Sequence, residues 1–223
     1  MSPSSEATAP TFRGRQAEAA RNDAAILEAA RVVFLRDPSA PMSAVAEEAG
    51  VGVGGLYRRY ASKDELLQKL CGDGLRQFTA LAEAAVAERG DPWGALSRFV
   101  AGVVESDVHA LTVRLGGTFT STVELRALAD HSSGLVERLV RRAHRAGTLR
   151  KDVGATDLPM VFEQLSAVRV QDPQRTVQLR HRYLSLTLDA LRADGPSADP
   201  LPGPAPTAAE LGACWRRPGS GQG

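Results

Sequence analysis

The stretch from Val45 to Lys63, VAEEAGVGVGGLYRRYASK, holds the residues whose types and spacing point to a chemistry. Ala46 is small where two helices would cross closely. Gly50, four residues on, tolerates the positive φ of a tight turn. Leu56, six residues after the glycine, is a large apolar residue that pins a second helix to the first. Those three roles make a helix-turn-helix, and a helix presented this way can enter a DNA major groove. The chemistry is therefore recognition of double-stranded DNA. Competing chemistries find less support. Gly50-x-Gly52-x-x-Gly55 matches a dinucleotide-binding fingerprint in form, but that fingerprint needs a preceding strand and this one follows a helix. His109, His131, His144 and His181 lack the spacing of metal ligands. Cys71 and Cys214 have neither metal-ligand nor disulfide-framework spacing. No Ser-His-Asp, Cys-His or paired-carboxylate grouping stands out for catalysis. No cofactor, metal or enzymatic activity is expected.

The surrounding elements read as helices throughout. Residues 1–16 read as a flexible arm carrying Arg13 and Arg15. A first helix is expected from near Arg21, with Ile26, Leu27, Ala30, Val33 and Phe34 on one face. Asp37-Pro38-Ser39-Ala40-Pro41 breaks it, and Pro41 suits the first turn of a second helix running to about Ala49. Gly50 turns the chain into a short helix from Val53 to Tyr60. Ser62-Lys63-Asp64-Glu65 spells a capping box and opens a long helix. Further breaks fall at Gly90-Asp91-Pro92, Gly116-Gly117, Gly147 and Asp172-Pro173, with Thr122 and Thr156 or Asp157 as caps. Gly195 closes the last long helix. A proline-rich tail follows, and a second capping box at Thr207-Ala208-Ala209-Glu210 allows a short terminal helix. The expected fold is all-α, with about nine helices: a three-helix head over residues 17–62, a helical body over 63–195 and a tail over 196–223.

Composition agrees with this reading. The 223 residues are 43% hydrophobic, 5% aromatic and 24% charged, which favours packed helices over strands. A net charge of +1 is a weak test for nucleic-acid binding, because a local basic patch suffices. The polar N-terminus lacks the apolar core of a secretory signal, and no segment approaches a membrane span of ~20 apolar residues. A cytoplasmic location is expected.

The segment from Arg21 to Leu67 resembles the DNA-binding head of the tetracycline-repressor (TetR) family. The resemblance rests on Ala46, Ala49, Gly50, Val51, Leu56, Tyr57, Tyr60, Ser62, Lys63 and Leu66, with Ile26, Ala29, Ala30 and Phe34 upstream. It implies a homodimer that regulates transcription from a palindromic operator and is released by a small-molecule effector. It implies phosphate contacts from Tyr57 and Lys63, the latter at a helix N-terminus whose amides already favour an anion. Arg58 and Arg59 would lie on the groove side, where arginine reaches phosphates or guanine edges. Arg21 and Ser43 are further backbone candidates. Tyr60 is expected in the core. One departure concerns base readout. Positions that often carry polar side chains are here Gly52, Val53, Gly54 and Gly55, so readout rests on Val53, the arginines and DNA shape. The arm with Arg13 and Arg15 adds a minor-groove candidate.

For the body the resemblance implies an effector pocket and a dimer face. Candidate pocket residues are Phe78, Trp93, Phe99, His109, Arg114, Phe119 and Phe162, against the ordinary alternative that aromatics at helical spacing are core. The dimer is expected to bury the last two long helices through Val161, Leu165, Val168, Leu179, Leu184, Leu186, Leu188 and Leu191. Arg138, Arg141, Arg142 and Arg145 read as a solvated face. Two alternatives remain at this stage: a ligand-independent DNA-binding dimer, and a helical protein that uses the fold without DNA.

Overall fold

The computed structural model describes residues 12–115, 117–195 and 200–214. Side chains are described from Arg21 onward; Arg13 and Arg15 therefore lie outside them, as do Arg114 and Cys214. The described residues form helices α1 (Phe12–Arg36), α2 (Met42–Glu48), α3 (Val53–Arg59), α4 (Lys63–Ala87), α5 (Pro92–Ser106), α6 (Val108–Leu115), α7 (Val123–Arg145), α8 (Asp157–Ala167), α9 (Pro173–Leu191) and α10 (Ala208–Cys214). Among them the only extended pairing is one antiparallel bridge between Leu149 and Arg192. The chain divides into two compact units, residues 1–66 and 67–223.

The first unit contains α1 to α3 and the first turn of α4. Helix α1 begins at Phe12, earlier than the expected Arg21, so residues 12–16 are helical rather than part of an arm. Residues 16–25 include strong helix formers and no proline, and elongation past an existing turn is cheap. After α1, Asp37 Oδ1 accepts hydrogen bonds from the Ser39 amide (2.8 Å) and hydroxyl (2.6 Å), which makes the turn with an aspartate. Pro41 stands at the N-cap of α2 rather than inside its first turn. Ile26, Ala30, Phe34, Val45, Ala46 and Leu56 are buried and form the core of this small unit.

In the second unit, α5, α6, α8 and α9 pack as neighbours, and α7 lies against α5. Caps mark most boundaries as the sequence leads one to expect. Thr122 accepts from the Leu125 amide (3.2 Å), Asp91 from Trp93 (3.0 Å) and Asp172 from Gln174 (2.9 Å). Thr156 makes no side-chain cap; Asp157 Oδ2 instead accepts from the Gly154 amide (2.6 Å). Thr207 and Glu210 form a reciprocal capping box at the start of α10. The break between α5 and α6 has no glycine or proline signal. It occurs at Asp107, in the left-handed region with φ 52°. Asp107 is held there by Arg180 (3.2 Å) and Arg169 (3.0 Å), and aspartate tolerates that backbone better than most residues.

Candidate nucleic-acid interface

The turn between α2 and α3 is a Schellman motif. Gly50, at φ 65°, donates to the Glu47 carbonyl (3.1 Å), and Val51 donates to the Ala46 carbonyl (2.9 Å). Only a residue at ease with positive φ closes this turn without strain, and Gly50 supplies it. Ala46 is buried, as a close helix crossing requires. Leu56 is wholly buried and Tyr60 nearly so, and between them they fix the rotation of α3 about its axis. With those two turned inward, the opposite face of α3 is left outward.

That outward face carries most of the expected contacts. Val53 and Tyr57 are 42% and 49% exposed. Gly52, Gly54 and Arg58 are exposed, and Gly55 is half-buried. The Arg58 guanidinium folds back over the glycines. Its terminal nitrogens lie 3.9 and 3.8 Å from where Cβ atoms of Gly54 and Gly55 would stand. Arg21 and Ser43 are exposed on α1 and α2.

Two expected donors are engaged elsewhere. Lys63 Nζ donates to the carbonyls of Pro38 (2.9 Å) and Ala40 (2.7 Å) and sits 5.0 Å from the Phe34 ring centroid. Partial burial lowers its pKa. Two of its three N–H groups thus hold the α1–α2 turn, which leaves one for the phosphate contact that the resemblance implies. The Ser62 box is present, with the Glu65 amide donating to Ser62 Oγ (3.1 Å). Glu65 reaches back to the Ala61 amide (2.7 Å), one residue before the cap. Arg59 Nε donates to Asp23 Oδ1 (2.9 Å), and the Tyr60 hydroxyl donates to the same oxygen (2.6 Å). Burial, and then this bond to Asp23, push the Tyr60 pKa well above that of a free phenol. Asp23 gives no sequence signal, because its partners lie 36 and 37 residues away.

In the second unit the expected pocket aromatics touch each other. Phe78, Phe99 and Phe162 meet edge to face at centroid distances of 5.3 to 6.3 Å, and His109 lies 5.1 Å from Phe162. Phe99, His109 and Phe162 are buried and Phe78 half-buried. Burial lowers the His109 pKa to about 4. Trp93 is half-buried under the Arg192 guanidinium at 5.4 Å, and Phe119 is half-buried in the loop before α7. Of the expected dimer residues, Leu165, Leu184 and Leu191 are buried in the unit's own core, and Val161 and Leu188 pack against it. Leu165, Leu184 and Leu191 are corrected to core, because a side chain buried in its own unit has no surface left for a partner, whereas Val161 and Leu188 remain half-buried. Val168 and Leu179 are half-buried, and Leu186 is 55% exposed. Val177 and Tyr183 on α9, outside the expected set, are also exposed. Arg142 is no solvated residue either; it donates to the carbonyls of Ala85, Val86 and Glu88 and so caps α4. No group of acidic, histidine or cysteine side chains suited to a metal occurs among the described residues, and none of their helices is long and apolar enough to cross a membrane.

Comparison with known proteins places these features in a lineage. Residues 26–70 match the model of bacterial regulatory proteins of the tetR family, and residues 91–193 match the C-terminal domain of SbtR-like transcriptional regulators. No curated protein sequence matches. Among solved structures, the chain is similar to a TetR transcription regulatory protein from Mycobacterium vanbaalenii, at 28% identity and TM-score 0.51. That match covers 79% of this chain and 98% of the other. The fold is shared with the ketosteroid transcriptional regulator KstR2 of Mycobacterium tuberculosis (19% identity, TM-score 0.59, 82% and 98% covered). It is shared also with the regulator PfmR of Thermus thermophilus (22% identity, TM-score 0.53, 73% and 96% covered).

Proposed function

The chain belongs to the TetR family of bacterial regulatory proteins, and from that premise we propose that it is a homodimeric repressor of a palindromic operator. The observation that carries the reading is the outward face of α3, where Tyr57 and Arg58 stand exposed on a helix fixed by Leu56 and Tyr60. Arg58 reads or clamps the groove, Tyr57, Ser43 and Arg21 meet phosphates, and Gly52, Val53, Gly54 and Gly55 meet the groove floor. The exposed apolar side chains Tyr183 and Leu186, three residues apart on one side of α9, form the dimer face. Two recognition helices then meet half-sites about 34–36 Å apart. A small apolar effector enters the body by displacing the half-buried Phe78 from its ring contacts, and so favours a dimer that binds the operator less well.

The test is a footprint on DNA upstream of the chain's own gene. A protected, two-fold symmetric site is expected. A folded dimer that binds no sequence in preference to others at low salt would overturn the reading. The close contact of the three phenylalanines supports a second reading, a dimer that binds DNA without any effector. A thermal-shift panel of metabolites separates the two: a saturable shift accompanied by loss of operator binding leaves only the first.

A further inference from the structure

We propose that Asp23 is a positioning residue that withdraws Arg59 from sequence-independent DNA binding and leaves Arg58 as the arginine of α3 that meets DNA. The inference rests on the DNA-binding reading above. Two adjacent arginines on a groove-facing helix would ordinarily both neutralise phosphates. Here they differ. Arg58 has no ion-pair partner among the described residues, and its guanidinium lies over the side-chain-free surface of Gly54 and Gly55. Its side chain is exposed. Arg59, by contrast, donates through Nε to Asp23 Oδ1 at 2.9 Å. Its side chain is 53% exposed while Asp23 is only 18% exposed, so the pair is open on the arginine side and fixed on the aspartate side.

The Tyr60 hydroxyl helps to fix Asp23: it donates to the same oxygen at 2.6 Å, and Tyr60 is itself packed in the core. The carboxylate therefore cannot follow Arg59 outward without giving up the Tyr60 bond. Its charge cancels that of Arg59 beside the DNA-facing surface. The energetic value of such an exposed pair to folding is small. Its value to binding is larger, because each phosphate neutralised by a cation contributes to the salt dependence of affinity. A phosphate contact adds about equally to the affinity for operator and for random duplex, so withdrawing Arg59 lowers affinity and salt dependence on every sequence and leaves the ratio to the base contacts.

Asp23→Asn keeps an oxygen acceptor for Tyr60 and removes the charge. Binding of the full-length chain to a random-sequence duplex and to its selected operator is measured across a potassium chloride series. For Asp23→Asn, random-duplex affinity is expected to rise roughly five- to tenfold per half-site at about 0.1 M salt, with the salt slope steeper by about 0.9 per half-site. Operator affinity should rise by a similar factor, so that preference for the operator over the random duplex is unchanged. Adding Arg59→Ala to Asp23→Asn should abolish the gain. Arg59→Ala alone, and Tyr60→Phe, should leave the wild-type salt slope unchanged. An unchanged slope in a folded Asp23→Asn protein overturns the proposal, as does a flatter slope in Arg59→Ala alone. If Asp23→Asn fails to fold, the Arg59→Ala slope decides on its own. Wild-type protein that binds its selected operator while the variants defy these expectations removes only this inference; wild-type protein that binds no DNA removes the DNA-binding reading as well.

Discussion

In the head, the residues proposed to act point outward from a small core; in the body, the residues expected to act point inward and touch one another. Helix α3 turns Leu56 in and leaves Tyr57 and Arg58 out. The body turns Phe99, His109 and Phe162 in, with Phe78 closing the group. Structural and functional side chains are thus separable in the head and overlap in the body. Removing an outward side chain of the head, Tyr57 or Arg58, should change binding without changing stability. A substitution in the aromatic group should change stability whether or not an effector binds there.

Phe162→Ala is the strongest way to break that contrast. It removes a ring that contacts Phe78, Phe99 and His109, and should cost about 3–5 kcal/mol of unfolding free energy in denaturant titration. A cost below about 1 kcal/mol would mean that the rings line usable space rather than fill it. Leu56→Ala is the counterpart in the head, at about 2–5 kcal/mol. It should abolish operator binding, because the helix it pins carries Tyr57 and Arg58, and the outer face would lose its alignment. Tyr57→Phe, by contrast, should leave the unfolding transition unchanged.

Acid sharpens the same contrast. All four histidines lie in the second unit. Burial lowers the His109 pKa from its ordinary 6.5 to about 4. Between those values the unfolded chain binds the proton and the folded one does not, so stability falls as pH drops from about 6.5 toward 4. The total is about 3 kcal/mol. His109→Leu should flatten that part of the melting-temperature profile, and its retention in the variant would assign the loss to other groups. Binding of DNA by the head should be less affected over the same window.

The difference between the regions also explains what was legible in the sequence. The helix-turn-helix is a local device: Ala46, Gly50 and Leu56 act within eleven residues, and their roles follow from spacing alone. Caps are local too, and Thr122, Asp91, Asp172 and the Thr207 box stand where their residue types suggest. What escapes is set by contacts across long separations. Asp23 holds Arg59 and Tyr60 from another helix, Lys63 is drawn to the Pro38 and Ala40 carbonyls, and Arg142 caps α4 from α7. The αL break at Asp107 is enforced by Arg169 and Arg180, more than sixty residues on. On α9, helical periodicity identifies apolar residues without saying which way they face. Leu184 and Leu191 turn to the core while Leu186 remains outside.

The smallest expected effect bears on the glycines of α3. Gly54 has no positive φ, and a Cβ there would meet only the Arg58 guanidinium, at an ordinary 3.9 Å. Alanine therefore fits the folded head, and by restricting the unfolded chain it should add about 0.4–1 kcal/mol of stability. If glycine were present merely by drift, the stiffer helix would bind the operator at least as well. If the bare backbone lies against the groove, the added methyl holds the helix away, and operator affinity falls as the melting temperature rises. Opposite signs in the two measurements are the expected outcome for Gly54→Ala. Matching signs would place base readout on Val53 and Arg58 without any close approach of the backbone, and would make the glycines of α3 incidental to recognition.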